Sequence, residues 1–428
     1  MKTINRDLYL NQIIDKKENG LIKIITGIRR CGKSYLLFNL FYDYLLQNGV
    51  SDSHIVKVAL DDDDNKDLRD PDQLSAYLHS KISDDAEMHY VLLDEVQFAI
   101  SDEELRKNAP IRLYGILNGL LRRNNVDVYI TGSNSKFLSS DVMTEFRGRG
   151  DEVRIYPLSF AEFFSVYEGD KYEAFTEYST YGGLPLVLTR KRDADKSKYL
   201  RDNLNETYIK DVVERHHIQG DVVMDTLVAV LASAIGSLTN PPKLANTFNS
   251  MQIDTTEVTV SNYISYLMNA FMISRAERFD VKGRKYIASP FKYYFTDIGL
   301  RNAALNFRQQ ERTHIMENII YNELRYRGYN VDVGIIDIRE NVNGSYERRQ
   351  LEIDFVANQG NKRYYIQSAF DIPNEDKMKQ ETKSFDKTND SFKKIIILGK
   401  SMRPRRTEKG YLLIGIKEFL LDPNSLDL

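Results

Sequence analysis

Gly27-Ile28-Arg29-Arg30-Cys31-Gly32-Lys33-Ser34 carries the spacing G-x-x-x-x-G-K-[ST], in which a glycine-rich turn wraps an anion. Ahead of it, Leu21-Ile22-Lys23-Ile24-Ile25-Thr26 is a β-branched run of strand length. Behind it, Ser34-Tyr35-Leu36-Leu37-Phe38-Asn39-Leu40-Phe41 repeats apolar residues at helical spacing. In such a strand–turn–helix unit, successive backbone N–H groups and the helix N-terminus face the phosphates. The expected contacts to a nucleoside triphosphate are Gly27, Arg30, Gly32, Lys33, Ser34 and Tyr35. Lys33 reaches the β- and γ-phosphates and the Ser34 hydroxyl ligates Mg2+, so ATP with Mg2+ is the expected ligand.

The other half of such a site belongs at the end of a second buried strand. His89-Tyr90-Val91-Leu92-Leu93-Asp94-Glu95 is an apolar run ending in two acids. In nucleotide hydrolases of this class the aspartate holds the metal and a following glutamate polarises the attacking water. Asp94 is therefore expected as a metal ligand beside Ser34, and Glu95 as the general base. Gln97 is a candidate contact to the water or the γ-phosphate. Many strands end in a solvated acid; the phosphate loop upstream makes this pair a sign of hydrolysis rather than of binding alone.

A third run, Val126-Asp127-Val128-Tyr129-Ile130-Thr131, leads into Gly132-Ser133-Asn134-Ser135, where Ser133 or Asn134 is placed to contact the γ-phosphate or the water. Phe146-Arg147-Gly148-Arg149-Gly150 then precedes a last core strand over Glu152-Val153-Arg154-Ile155-Tyr156. A phosphate loop with three further strands and intervening helices predicts an α/β fold with a parallel sheet.

These segments recur in a fixed order with Leu93-Asp94-Glu95-Val96-Gln97, Tyr156-Pro157-Leu158-Ser159-Phe160 and Tyr181-Gly182-Gly183-Leu184-Pro185. Together they resemble the prokaryotic AAA-type (AAA+) ATPases that carry a C-terminal domain of unknown function. The resemblance covers nearly the whole chain. It implies an ATPase core with a helical lid, then a winged-helix segment, then a restriction-endonuclease-like α/β domain. It also implies that Arg149, or Arg147 beside it, is a finger that enters a neighbour's site, so that Lys33, Glu95 and Arg149 act together in an oligomeric, ring-forming enzyme.

Composition fits that outline. A chain of 428 residues has room for two or three domains, and its single cysteine excludes an internal disulfide framework. Cys31 lies inside the phosphate loop, either as a small filler of a tight turn or as a thiol activated by Arg30 and Lys33. No apolar run is long enough to span a bilayer and no targeting segment is visible, which predicts a cytoplasmic protein without a membrane partner. A net charge of −3 means that any nucleic-acid surface must be local.

The expected boundaries are 1–165 for the ATPase core, 166–220 for the lid and a connecting helix, 221–307 for the winged helix and 308–428 for the PD-(D/E)XK-like domain. His216-His217 reads as a cation pair at a helix end, since no cysteine or matching cluster accompanies it. The expected recognition helix, Thr259 to Phe271, has no Lys or Arg; only Ser261, Asn262, Ser265 and Asn269 could read base edges. The wing carries Arg275, Arg278, Lys282, Arg284, Lys285 and Lys292, a basic set suited to double-stranded DNA phosphates. A protein-docking role is equally open.

In the last segment Glu317 lies on a helix and Asp354 on a strand, but the next strand offers Gln367-Ser368-Ala369 in place of the Glu-x-Lys of this nuclease fold. Lys377 or Lys379 would have to substitute for the missing lysine, so a nuclease-like fold without nuclease activity is expected. Two functions remain open: an ATP-driven oligomeric machine that moves C-terminal DNA- or protein-binding domains, and an ATP-controlled assembly switch with slow hydrolysis.

Overall fold

A computed structural model describes residues 3–101, 103–104, 111–132, 148–218, 222–309, 311–342 and 345–428. The chain forms two compact units, Met1–Pro157 and Leu158–Leu428.

The first unit is built on five strands: β1 (Ile22–Gly27), β2 (Ile55–Ala59), β3 (His89–Asp94), β4 (Val126–Thr131) and β5 (Gly150–Ile155). Their order across the sheet is β2-β3-β4-β1-β5, and every pairing is parallel. Parallel strands need crossovers of a dozen or more residues, and helices such as Pro71–Lys81 and Arg112–Leu120 supply them. Pro71 sits at the first helical position and the Asp70 carboxylate accepts from the N–H groups of Asp72 and Gln73, which fixes where that helix starts. Ile22, Ile24, Val91, Leu93, Val128 and Ile130 line one face of the sheet at alternate positions and are buried against those helices. Because β4 lies between β1 and β3, the end of β4 separates the phosphate loop from the acidic pair.

The other face of the sheet holds a buried ion pair. Lys23 on β1 stands level with Tyr129 on β4, and its ammonium pairs with Asp127 while also donating to the Leu21 carbonyl at 3.0 Å. The Tyr129 hydroxyl and the Glu18 N–H donate to the same carboxylate at 2.7 and 2.8 Å. Burial lowers the Lys23 pKa, opposed by Asp127.

The second unit opens with the helix Phe160–Val166, which starts on a capping box between Ser159 and Glu162. The helix Lys171–Tyr181 ends at Gly182, whose φ is 75°. A Cβ there would lie 2.3 Å from a carboxylate oxygen of Asp297. That carboxylate accepts the Gly183 N–H at 2.8 Å and the Leu300 N–H at 3.0 Å, so one buried side chain grips the glycine turn and caps the helix Ile298–Ala304. Burial pushes its pKa up to about 6 against those N–H donors. Tyr181-Gly182-Gly183-Leu184-Pro185 is thus more than a break between helices; it is the mould for Asp297.

Three helices, Val222–Ser233, Pro241–Ser250 and Glu257–Asn269, precede a hairpin of β6 (Ile273–Asp280) and β7 (Lys285–Phe295). The second hairpin strand runs on to Phe295. The helix Arg312–Tyr326 follows, then β8 (Asn330–Val342), β9 (Ser345–Gln359), β10 (Lys362–Ala369), β11 (Lys393–Leu398), β12 (Arg405–Arg406) and β13 (Leu412–Gly415). All eight strands make one sheet in the order β12-β13-β11-β10-β9-β8-β6-β7. The join is the parallel pairing of Arg278, Phe279 and Asp280 with Val333, Gly334 and Ile335. Gly334 permits close packing at this seam: a Cβ there would meet Val356 at 2.8 Å and Val281 at 3.3 Å.

The buried pair in the first unit yields a measurable asymmetry. Asp127→Ala strands a buried ammonium and is expected to cost ~3–5 kcal/mol by urea denaturation. Lys23→Met should cost clearly less, because Asp127 keeps its Tyr129 and Glu18 donors.

Candidate active site

The phosphate loop leaves β1 at Gly27, whose φ is 140° and whose Cβ, if present, would lie 2.2 Å from the Ile155 carbonyl of β5. Gly32 also has positive φ, 101°, and immediately precedes the helical residues Lys33–Tyr35. These two glycines are conformational requirements of the turn. The Lys33 ammonium is buried at the centre of the loop and donates to the carbonyls of Gly27 and Ile28 at 3.1 and 3.2 Å. Arg30 takes a left-handed φ of 63° with its side chain exposed, and Ser34 and Tyr35 are exposed at the helix start. Cys31 is fully buried, with its Sγ 3.8 Å from the Ile155 carbonyl; it fills the space beneath the turn.

Asp94 lies at the end of β3 and is buried. Thr131, at the end of the adjacent β4, donates its hydroxyl to Asp94 and accepts the Glu95 N–H at 3.1 Å. The Ser34 hydroxyl lies close enough to the Asp94 carboxylate to favour its charged form. Burial raises the Asp94 pKa above the ordinary carboxylate range; the Ser34 and Thr131 hydroxyls oppose that, while Glu95 and Asp61 add to it. A buried carboxylate beside two further acids, with a serine hydroxyl alongside, is an oxygen donor set that suits Mg2+. Ser34 and Asp94 are the residues that could hold it. Glu95 sits in a left-handed turn, φ 51°, and Gln97 donates its amide N–H to the Glu95 carboxylate. The Gln97 amide oxygen is buried without a hydrogen-bond partner. Thr131 was missed in the sequence because its role follows from strand order, which no local pattern encodes.

Arg149 immediately precedes β5, and its carbonyl accepts the Ile22 N–H at the start of β1. Its side chain is exposed and donates to Asn118 at 3.2 Å. Since β1 and β5 are parallel, Arg149 and the chain's own phosphate loop stand at opposite ends of the sheet, separated by a strand of about 20 Å. Ser133, Asn134 and Arg147 lie outside the described residues.

One residue beneath the loop was not anticipated. Arg6 is buried and donates to the Cys31 carbonyl at 2.9 Å and to the Tyr156 carbonyl at 2.7 Å, with its guanidinium 4.8 Å from the Tyr9 ring centroid. It ties the phosphate loop to the end of β5. Its signal was a charged residue in register with the buried stripe of Tyr9 and Ile13 on the helix Asp7–Asp15.

The second unit gathers its own charged cluster. Lys292 on β7 is buried and pairs with Glu317 at 3.0 Å and Glu352 at 2.7 Å; the Tyr294 hydroxyl donates to Glu317 at 2.6 Å. Burial alone would lower the Lys292 pKa, but Glu317, Glu352 and Asp354 outweigh it and hold the ammonium well above its ordinary value. Asp354 accepts the Ser368 N–H at 2.8 Å, and burial with Glu317 nearby pushes its pKa up to about 8.

Several sequence expectations need correction here. The cation at this cluster comes from Lys292, whereas Lys377 and Lys379 pair with Glu381 and Asp376 on their own helix. Two of the six basic residues assigned to the wing, Arg278 and Lys292, are buried; Arg275, Lys282, Arg284 and Lys285 are exposed. His216 is not placed as a helix-end cation: burial and Arg215 press its pKa down to about 4, and its ring stacks on Tyr266 with centroids 3.5 Å apart.

A phosphate loop at the carboxyl end of a five-stranded parallel sheet, with an acidic pair one strand beyond its neighbour, defines a P-loop nucleoside triphosphatase. A family model described as an AAA domain matches residues 19–164, and one described as a domain of unknown function (DUF8612) matches residues 172–311. An uncharacterized protein of Haemophilus influenzae is 33% identical over 423 residues, covering 98% of this chain and 98% of that one. Uncharacterized protein MJ1544 of Methanocaldococcus jannaschii is 27% identical over 404 residues, covering 90% of this chain and 81% of that one. Among solved structures, the Walker-type ATPase PABY2304 of Pyrococcus abyssi superposes with a TM-score of 0.47 at 15% identity, covering 71% of this chain and 96% of that one. The chain belongs to the AAA-type ATPases that carry a C-terminal domain of unknown function. Among the described residues, no helix is long and apolar enough to cross a membrane.

Arg6→Ala should release the loop from β5. Two buried hydrogen bonds to a charged donor are lost, ~1.5–3 kcal/mol each. The expected outcome is a lower melting temperature together with a KM for ATP raised at least several-fold, read by steady-state kinetics.

Proposed function

We propose that the chain is a Mg2+-dependent ATPase of the AAA+ type whose working form is a homo-oligomer, with turnover coupled to movement of C-terminal domains that contact DNA or protein. Lys33 neutralises the β- and γ-phosphates while the loop N–H groups hold them, and Glu95 takes a proton from the attacking water. Bound at Ser34 and Asp94, Mg2+ supplies charge neutralisation on the transferred phosphoryl group. Thr131 keeps the Asp94 carboxylate aimed and holds the Glu95 backbone, and Asn134 is the proposed γ-phosphate contact.

The observation that carries the oligomeric reading is the place of Arg149. It is exposed at the end of the sheet remote from its own phosphate loop, so its guanidinium can complete a site only on another subunit. A ring in which each subunit lends this arginine to its neighbour satisfies both ends of the sheet. A second reading, an ATP-controlled assembly switch with slow hydrolysis, draws support from Gln97, which occupies the Glu95 carboxylate. In that reading, turnover stays low until the glutamate is released.

For the C-terminal unit we propose a nuclease-like fold without nuclease activity. Gln367 and Ala369 stand where the nuclease pattern has Glu and Lys, and the Lys292 ammonium already neutralises Glu317 and Glu352. The three helices and hairpin fit a winged helix, with Lys282, Arg284 and Lys285 at its exposed tip as phosphate contacts.

Subunit mixing tests the shared site. Lys33→Ala and Arg149→Ala should each lose most ATP turnover, and an equimolar mixture should recover part of it. No recovery, with both variants still binding ATP, would exclude the arginine in trans. For DNA, replacing Lys282, Arg284 and Lys285 with alanine should flatten the slope of log K against log salt by about 3, near 0.9 per phosphate contact. The same duplex incubated with Mg2+ or Mn2+ should stay uncut; cleavage abolished by Asp354→Ala would overturn the inactive-nuclease reading.

A further inference from the structure

At the end of the first unit's sheet remote from the phosphate loop, three side chains converge. His54 is the last residue of a short turn, Asp52–His54, that runs into β2. His89 is the first residue of β3, and Asp85 lies in the connection ahead of it. β2 and β3 are parallel neighbours with Ile55 level with Tyr90, so the two histidines face each other one step earlier. Their ring centroids are 4.6 Å apart. The His54 Nε2 lies 3.3 Å from one Asp85 carboxylate oxygen and the His89 Nε2 lies 3.1 Å from the other. One ligating atom from each residue falls within 4.8 Å of the other two.

We infer that His54, Asp85 and His89 form a binding site for a borderline transition-metal dication, with Zn2+ as its natural probe. The donor set is two imidazole nitrogens and one carboxylate oxygen. That combination suits Zn2+ and its neighbours in the first row, whereas Mg2+ and Ca2+ prefer all-oxygen shells. His89 is fully buried at the end of the sheet, while His54 is partly exposed and Asp85 exposed. The site is therefore open on its outer side, where water can complete a tetrahedron.

Asp85 is aimed before any metal arrives. Its carboxylate accepts the Glu87 N–H at 3.1 Å, and the Asn125 amide donates to the carbonyls of Ser83 and Asp85 at 3.1 Å each. Without a metal, each Nε2 must carry a proton to bond the shared carboxylate; a dication takes both Nε2 lone pairs, and each ring's single proton shifts to its Nδ1, so both imidazoles stay neutral. The His89 Nδ1 is buried without a hydrogen-bond partner, so no acceptor behind the ring holds it from that side. A ligand histidine lacking an acceptor behind it loses roughly 10–100-fold in affinity. The site should accordingly bind in the micromolar range, reversibly. Its bound metal would pin the 83–88 connection to the starts of β2 and β3, remote from phosphate chemistry.

The test uses the full chain, stripped with chelator and titrated with ZnCl2 by calorimetry, with Co2+ absorption as a second readout. One equivalent should bind with Kd of roughly 10 µM or tighter, visible Co2+ d–d bands should report tetrahedral nitrogen–oxygen ligation, and saturating Zn2+ should raise the melting temperature by a few degrees. His54→Ala, at a partly exposed position, and Asp85→Ala, at an exposed one, should each weaken binding at least 10-fold with unchanged circular dichroism and unchanged MgATP turnover. His79→Ala, a histidine outside the cluster, should bind like wild type. Absence of micromolar binding, affinity indifferent to both cluster variants, or loss of binding in His79→Ala would each overturn the assignment.

Discussion

The first unit depends on a hydrogen bond between neighbouring parallel strands: Thr131 at the end of β4 donating to Asp94 at the end of β3. Asp94 is buried among acids, and burial disfavours its charge. The Thr131 hydroxyl is the donor that keeps the carboxylate in place between the loop and Glu95. The same threonine oxygen accepts the Glu95 N–H, so one side chain positions both acids. This works only because β4 is inserted between the two strands that carry the phosphate chemistry. Strand order thus sets the geometry of the candidate site.

The second unit solves a different electrostatic problem. Glu317, Glu352 and Asp354 come together on a helix and a strand, and their like charges oppose one another. A lysine from the hairpin enters that space and pairs with two of them. The ion pairs also register β7 against the rest of the sheet, in addition to the backbone ladder between β6 and β8. The hairpin and the strands that follow it, separate in the chain, are one hydrogen-bonded sheet.

Legibility in the sequence followed the range of each interaction. The phosphate loop was readable because its chemistry is confined to eight consecutive residues flanked by a strand and a helix. The acidic pair was readable because an apolar run ending in Asp-Glu is a local pattern. β2 went unread: Ile-Val-Lys-Val-Ala is short and followed by a run of aspartates that suggests a loop. Thr131 was out of reach because it acts across strands, and Arg6 left only its register with Tyr9 and Ile13 as a trace of partners far along the chain. Lys292 was misread for an instructive reason. In a stretch rich in Lys and Arg, a buried cation looks like its solvated neighbours until its distant acidic partners are known.

The eight-strand order has a practical consequence for dissecting the protein into pieces. Excising the stretch from the three helices through the hairpin would strip β6 and β7 from the sheet and leave β8 as a raw margin. An uncovered strand edge invites pairing with other chains. The excision would also remove the ammonium that neutralises two acids in the remaining half. Truncated versions cut near residue 307 should therefore behave as sticky, misassembled material, and the natural scissors line is the junction at Pro157 and Leu158.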